Sequence, residues 1–221
     1  MSLHQSLSLG EQIADHLAQE IILGRLGPRE RLREAELARE LDVSTNSLRE
    51  AFRLLQGRHL VEIQPRRGAR VCDVTEAHVR DLYDFLFLLL SRLAGRVAER
   101  WQGNELAAIE NLAATMEERG RQGDVVAVHD LAFQLLRAGL AFTRNRYLID
   151  AIEDLMPLLQ RYSYIALREE TAELAVTLNC MQQLVSCISL RDVAGAAGYL
   201  GDYGENQCQV VLRAVAKQAT A

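Results

Sequence analysis

Ser44 to Val74, STNSLREAFRLLQGRHLVEIQPRRGARVCDV, is the stretch on which the fold turns. Ser44 is an N-cap residue type, and the spacing predicts a helix from Thr45 to about Gln56. Successive helical residues turn by about 100°. Leu48, Ala51, Phe52 and Leu55 therefore share one face, and Thr45, Asn46, Arg49, Arg53 and Gln56 share the opposite one. Uncharged polar residues at the amino end followed by arginines suit a recognition helix, whose first residues reach base edges while its arginines pair with phosphate or guanine. An ordinary solvated helix surface would read the same way. The hairpin that follows separates the two readings. Leu60 to Gln64 and Ala69 to Val74 alternate apolar and polar residues like two strands, joined by the turn Pro65-Arg66-Arg67-Gly68. A basic hairpin directly after such a helix is a wing.

Upstream, Ser8 to Leu23 carries Ile13, Leu17 and Ile21 at helical spacing, Ser8 and Glu11 as a capping box, and Gly24 in the stop position. A second helix is expected over Arg33 to Leu41, with Leu37 and Leu41 four apart, before the break at Asp42-Val43-Ser44. Three helices and a basic hairpin, in this order and size, predict a winged helix-turn-helix over residues 1–74.

The chain has 221 residues, more than the common single-domain size of about 100 to 150, so a second folded unit is expected over 75–221. With 49% hydrophobic and 25% charged residues and only 3 prolines, neither part resembles a disordered or fibrous segment. The net charge of -5 is unevenly spread: residues 1–75 carry 11 arginines against 11 acidic residues, leaving 14 basic and 19 acidic residues to the remainder. Local potential, not global charge, meets a phosphate backbone, so the acidic total does not exclude DNA as a partner. The most hydrophobic run, Leu82 to Leu90, is far short of the roughly 20 residues that span a bilayer, and no basic segment followed by an apolar one opens the chain. A soluble, cytoplasmic protein without membrane association is expected. Cys72, Cys180, Cys187 and Cys208 lack CxxC spacing and are expected to be inert thiols in a reducing compartment.

From Glu20 to Val71 the sequence resembles the N-terminal signature of the GntR family of transcription regulators, carried here by Ile22, Gly24, Leu32, Glu34, Leu37-Ala38, Val43-Ser44, Leu48-Arg49-Glu50-Ala51, Leu55, Leu60-Val61 and Pro65 through Gly68. The resemblance implies that Ser44, Arg49 and the wing around Arg66 and Gly68 hold the DNA backbone, while Thr45, Asn46 and Ser47 face the bases. Arg33, Arg53, Gln64 and Arg67 complete the expected DNA-binding set. Thr45 stands where the family usually has Arg, and Asn46 and Ser47 follow where Pro or Thr is commoner, so the family's usual operator does not carry over.

Beyond Thr75 the pattern is helical throughout, with helices expected over 76–101, 104–121, 124–143, 145–167, 171–189 and 191–217 and short loops that suit an antiparallel bundle. The stretches VRDLYDFLFLLLSRLAGRVAERW, HDLAFQLLRAGLAFTRNRYL and SLRDVAGAAGYLGDY resemble, more loosely, the effector-binding (FCD-type) domain of the FadR-like branch. That resemblance implies a ligand-responsive, dimerising domain.

Many such domains hold a divalent metal through an Asp, a His four residues later and two further His. Aligned on Asp130 and Phe133, this sequence has Gln134 at the first His position; aligned on Asn145 it has Ala132 and Leu136 at the Asp and His positions. Met181 and Tyr203 fall where the other two His would be, and no histidine lies beyond His129. No metal and no cofactor are expected.

Leu86 and Leu90 replace the Arg and Glu that the branch usually carries, which points to an apolar cavity for a fatty-acyl or similarly greasy effector, unless these leucines fill the core or a dimer seam. RAGLAF, Arg137 to Phe142, resembles the acyl-CoA-responsive members. The expected effector pocket is Leu86, Leu90, Asp130, Gln134, Arg137, Met181 and Tyr203.

No nucleophile elbow, phosphate loop, HExxH or His-Cys constellation stands out, so no enzymatic activity and no catalytic residue are expected. The sequence therefore reads as a mostly α protein that represses transcription as a homodimer on a near-palindromic double-stranded operator and responds to a small molecule. The alternative reading is a helical protein-interaction module without DNA binding.

Overall fold

The computed structural model describes residues 7–64, 67–169 and 172–220. Pro65 and Arg66 in the wing turn lie outside them, as do Glu170 and Thr171. Contacts divide the chain into two compact units, Met1–Val74 with Asp154–Arg161, and Thr75–Glu153 with Tyr162–Ala221.

In the first unit, α1 (Leu9–Ile22) opens on the expected capping box: the Ser8 hydroxyl accepts from the Glu11 amide at 3.1 Å, and the Glu11 carboxylate accepts from the Ser8 amide at 2.6 Å. It closes in a Schellman motif, with the Arg25 amide donating to the Glu20 carbonyl and the Gly24 amide to that of Ile21. Gly24 supplies the left-handed residue, φ 72°. A two-residue strand β1 (Arg31–Leu32) precedes α2 (Glu34–Glu40) and α3 (Thr45–Gly57), and β2 (Val61–Gln64) and β3 (Gly68–Val71) form the wing.

The sheet has the order β1-β3-β2 and is antiparallel, with Val61 opposite Val71, Ile63 opposite Ala69 and Leu32 also opposite Ala69. Ile13, Leu17 and Ile21 from α1, Leu48, Phe52 and Leu55 from α3, and Leu32, Leu60, Val61, Ala69 and Val71 around the sheet make one buried core. Each such leucine, isoleucine or phenylalanine contributes about 1.5–3 kcal/mol by leaving water. Packing on that core, and not helix propensity, decides which face of α3 is left to solvent. β1 was not expected: two residues are too short for an alternating pattern to register.

The second unit is helical. α4 (Glu76–Arg100), α5 (Ala107–Arg121), α6 (Val125–Leu140), α7 (Arg146–Glu169), α8 (Ala172–Ser189) and α9 (Val193–Thr220) match the expected helices to within a few residues at each end, and only the Asp154–Arg161 stretch of α7 groups with the first unit. α4 packs chiefly on α9, α5 on α6 and α8, and α8 on α9. Val79, Leu82, Leu86, Leu90, Leu93 and Val97 form the buried stripe of α4, at the i, i+3, i+4 spacing of an amphipathic helix. Among the described residues no helix is long and apolar enough to cross a membrane.

All four cysteines are free thiols. Burial pushes Cys180 up to about 12, helped by the Asp202 carboxylate, and desolvation likewise raises Cys72, Cys187 and Cys208. The thiolate is the reactive form, so at neutral pH the native protein should be alkylated by iodoacetamide far more slowly than in denaturant, with Cys180 the slowest site. Intact-protein mass spectrometry over time reads this; labelling of native Cys180 at the rate of a free thiol would refute it.

Candidate nucleic-acid interface

The amino end of α3 is set by Asp42, whose left-handed backbone (φ 53°) turns the chain after α2, and by Ser44, whose hydroxyl accepts from the Ser47 amide at 3.1 Å. No acidic residue sits in the first turn of α3, so the positive end of its dipole is left uncompensated, as an anion-facing helix end requires. Leu48, Ala51, Phe52 and Leu55 are buried, while Thr45, Asn46, Arg49, Arg53 and Gln56 are exposed together on the other face, as the helical spacing predicts. Ser47 is half-buried and its hydroxyl lies 2.9 Å from that of Ser44, which ties it to the cap.

The arginines differ in how they are held. Arg49 donates through Nε to the Glu34 carboxylate at 2.9 Å, which fixes its stem across the turn between α2 and α3. Arg33 pairs with Glu36 at 2.7 Å on the exposed surface of α2. Arg53 makes no ion pair or hydrogen bond with the described residues, so its charge is open to an incoming anion. In the wing, Arg67 is exposed, Gln64 half-buried and Gly68 buried with φ 86°. Arg66 lies outside the described residues.

Two further arginines were not singled out from the sequence. Arg31 on β1 stands opposite Arg70 on β3, and Glu62 on β2 flanks Arg70 from the other side. Like charges directly opposite across a ladder are unfavourable in isolation, and an anionic partner would relieve them. The outward direction of Arg70 was legible in the alternation Ala69-Arg70-Val71; that of Arg31 was hidden by the shortness of β1.

In the helical unit the expected pocket residues divide into two groups. Leu86, Leu90 and Met181 are buried, and the Tyr203 hydroxyl lies 2.9 Å from that of Thr177. Asp130, Gln134 and Arg137 project instead from the exposed face of α6, because Val128, Leu131, Phe133 and Leu135 take its buried face. His129 is buried between the rings of Phe133 and Tyr164, at centroid distances of 5.0 and 5.5 Å, and its Nδ1 lies 3.4 Å from the Asp130 carboxylate.

The interior also holds polar groups that the leucine pattern did not suggest. Glu173, 4% exposed, accepts from Asn206 at 3.1 Å and from Gln207 at 2.6 Å. Tyr83 stacks on Phe87 and buries a hydroxyl with no hydrogen-bond partner among the described residues, and burial raises its pKa well above the ordinary value. A buried carboxylate reads from sequence as one more solvated charge, so no signal marked Glu173. For a metal of the kind held by many such domains the donors do not fit: Asp130 and Gln134 face outward, Met181 and Tyr203 replace imidazoles, and the described residues contain no cluster of three or more His, Cys, Asp or Glu placed to hold a metal ion.

Two family profiles match the chain. One, described as bacterial regulatory proteins of the gntR family, covers residues 9–71, and the other, the FCD domain, covers residues 81–203. The chain is 25% identical over 208 residues to the HTH-type transcriptional repressor GlaR of Escherichia coli (strain K12), across 90% of this chain and 94% of that one. It is 30% identical over 119 residues to a probable D-xylose utilization operon transcriptional repressor of Paenarthrobacter nicotinovorans, across 53% and 51%. Among solved structures, E. coli McbR/YncC superposes with a TM-score of 0.81 at 19% identity, over 94% of this chain and 99% of that one. A GntR regulator from Rhodococcus sp. RHA1, described as a putative one, gives 0.72 at 21%, over 92% and 98%.

Proposed function

The chain belongs to the GntR family, in the branch that carries an FCD domain, and from that premise we propose that it is a cytoplasmic, sequence-specific DNA-binding repressor that acts as a homodimer and responds to a small molecule. The observation that carries the reading is the exposed polar face of α3, with Thr45, Asn46, Arg49 and Arg53 on it, in one unit with the basic wing. In this reading residues 1–74 bind DNA and 75–221 bind the effector and the second subunit. Thr45, Asn46 and Ser47 meet base edges; Ser44, Arg33, Arg49, Arg53, Gln64, Arg66, Arg67 and the backbone at Gly68 meet phosphates.

The effector would lie inside the helical unit, an apolar body against Leu86, Leu90 and Met181 and a polar group near Thr177 and Tyr203. Its binding would shift the population between arrangements of the two DNA-binding units that fit the operator and arrangements that do not.

The test is selection of duplexes from a random library by the purified protein, then affinity for the selected and a scrambled duplex across salt. Specific binding should fall steeply with salt, by about 0.9 in the log-log slope for each phosphate neutralised. Equal affinity for the two duplexes at every salt concentration would count against a sequence-specific regulator.

The homodimer is supported by one face of α4. Asp81, Asp84, Phe85, Leu88 and Arg92 are all exposed there, and Phe85 and Leu88 keep 48% and 70% of their surface in water. Apolar residues at the centre, acids at one end and an arginine at the other make the face complementary to itself when two copies pair antiparallel about a two-fold axis. Leu88→Arg should therefore raise the dimer dissociation constant by about 30-fold or more, the cost of losing a central interface residue. Light scattering across a dilution series reads it, and a variant that stays as dimeric as the parent would move the interface elsewhere.

A further inference from the structure

The antiparallel course of the helical unit brings three connections to one end: α4 to α5, α6 to α7 and α8 to α9. Each has an arginine in it or, for Arg100 at the end of α4, directly before it. Arg100, Arg144 and Arg191 line a pocket of about 310 Å³ together with Glu99, Trp101 and Gln102. Arg100 and Arg144 also border an adjoining groove of about 390 Å³ whose other walls are mostly apolar, from Ala108 and Ile109 of α5 and Ala138, Ala141 and Phe142 at the end of α6. Volumes of this order are at the lower end of the range for small-ligand sites.

The arginines are held largely by neutral groups. Arg191 donates to the carbonyls of Glu99 at 3.3 Å and Trp101 at 2.7 Å, and its guanidinium lies 4.1 Å over the Trp101 ring. Arg100 donates to the Thr143 carbonyl at 3.0 Å, and Arg96 donates to the same oxygen at 2.9 Å, so two guanidinium groups share one uncharged acceptor. Arg144 makes no ion pair or hydrogen bond with the described residues. Two carboxylates are close. Glu99 reaches Arg100 only at 3.7 Å, and Glu105 is occupied by the Gln102 amide at 2.7 Å.

Arg144 and Arg191 both adopt left-handed backbone, φ 46° and 58°, a conformation that residues with bulky side chains rarely take. Helix-end carbonyls explain the place of Arg100 and Arg191. They do not explain Arg144, nor an apolar groove that begins where the positive charges end.

We propose that this end of the helical unit is a binding site for an amphipathic anion, its head group between Arg144, Arg100 and Arg191 and its hydrocarbon chain along Ala138, Ala141, Phe142 and Ile109. A carboxylate and a phosphate monoester share the required head-group chemistry. The site is formed by the loop end of the bundle and not by the buried set of Leu86, Leu90, Met181 and Tyr203, and it does not depend on the DNA-binding reading.

Trp101 is the single tryptophan of the chain and lines the pocket, so its emission reports occupancy of this site directly. The full-length protein is titrated with decanoate, decyl phosphate and decanol while tryptophan fluorescence is followed, and calorimetry gives the affinities. The anions should shift the emission saturably, decanol should bind at least about tenfold more weakly, and the stronger of the two anions identifies the head group.

Arg144→Gln should weaken the anions by about tenfold or more while the thermal midpoint of the unliganded protein stays at the parent value, because the Arg144 side chain makes no ion pair or hydrogen bond with the described residues. Ala141→Glu, at an exposed position, should weaken both anions by placing a carboxylate along the chain path. Decanol binding as tightly as decanoate, anion affinity unchanged in Arg144→Gln, or calorimetric binding that leaves the Trp101 emission unmoved would each overturn the proposal.

Discussion

Arg49→Ala is expected to weaken binding to every duplex, selected or scrambled, by about tenfold to a hundredfold near physiological salt, the worth of a charged hydrogen bond to phosphate. The log-log salt slope should fall by about one for each copy of Arg49 in contact with DNA. Fold stability should change little, because the Arg49–Glu34 pair is solvent-exposed and such pairs contribute about 0–1 kcal/mol.

The pair nonetheless sharpens the prediction. Removing Arg49 leaves the Glu34 carboxylate, 27% exposed, facing the phosphates without its cation. Part of the loss is then repulsion and not a missing contact. Glu34→Gln in the Arg49→Ala background should recover that part, whereas Glu34→Gln alone should leave affinity at or above the parent value. Changes at Thr45 or Asn46 should act differently, by altering which duplexes are preferred with little change in the salt slope. Anisotropy titrations over a salt series separate these outcomes, and an Arg49→Ala protein that binds as the parent does would show that this face of α3 does not meet DNA.

How far the site was readable follows from what each residue's position depends on. The face of α3 depends only on a period of 3.6 and on which residues are apolar, so the shared exposure of Thr45, Asn46, Arg49 and Arg53 was legible in the sequence. The inward direction of Leu86 and Leu90 followed from the same rule. The acid that holds Arg49 was not readable, because Glu34 is fifteen residues away and only the angle between α2 and α3 brings them together.

On α6 an alignment to a metal-bearing pattern pointed to Asp130 and Gln134, but the apolar residues Val128, Leu131, Phe133 and Leu135 claim the buried face and leave those two outside. Helical periodicity was the better guide there than resemblance. Glu173 shows the remaining limit. Its burial depends on Asn206 and Gln207 arriving from α9 to donate to it, and nothing local in α8 announces that pairing.

Gly68→Ala should strongly destabilise the first unit. A Cβ at this position would lie 2.3 Å from the Leu32 carbonyl oxygen, and the backbone, at φ 86°, is one that L side chains rarely adopt. The carbonyl cannot retreat easily: Leu32 is paired with Ala69 in the ladder and its side chain is 2% exposed in the core. Strain and clash together should cost about 2–4 kcal/mol, or roughly 10–20 °C in the midpoint of a unit this size.

Because the wing turn and the β1-β3 pairing are displaced together, duplex affinity should fall even at temperatures where the unit is still folded. Gly57 provides the internal control. It ends α3 with nothing within 4 Å of where a Cβ would stand, so Gly57→Ala should be neutral or stabilising by about 0.5–1 kcal/mol. Calorimetric scans of the two variants beside the parent decide the matter: if Gly68→Ala melts with the parent, the close approach of the wing to β1 does not exist in solution, and the pairing that sets Arg70 opposite Arg31 loses its support.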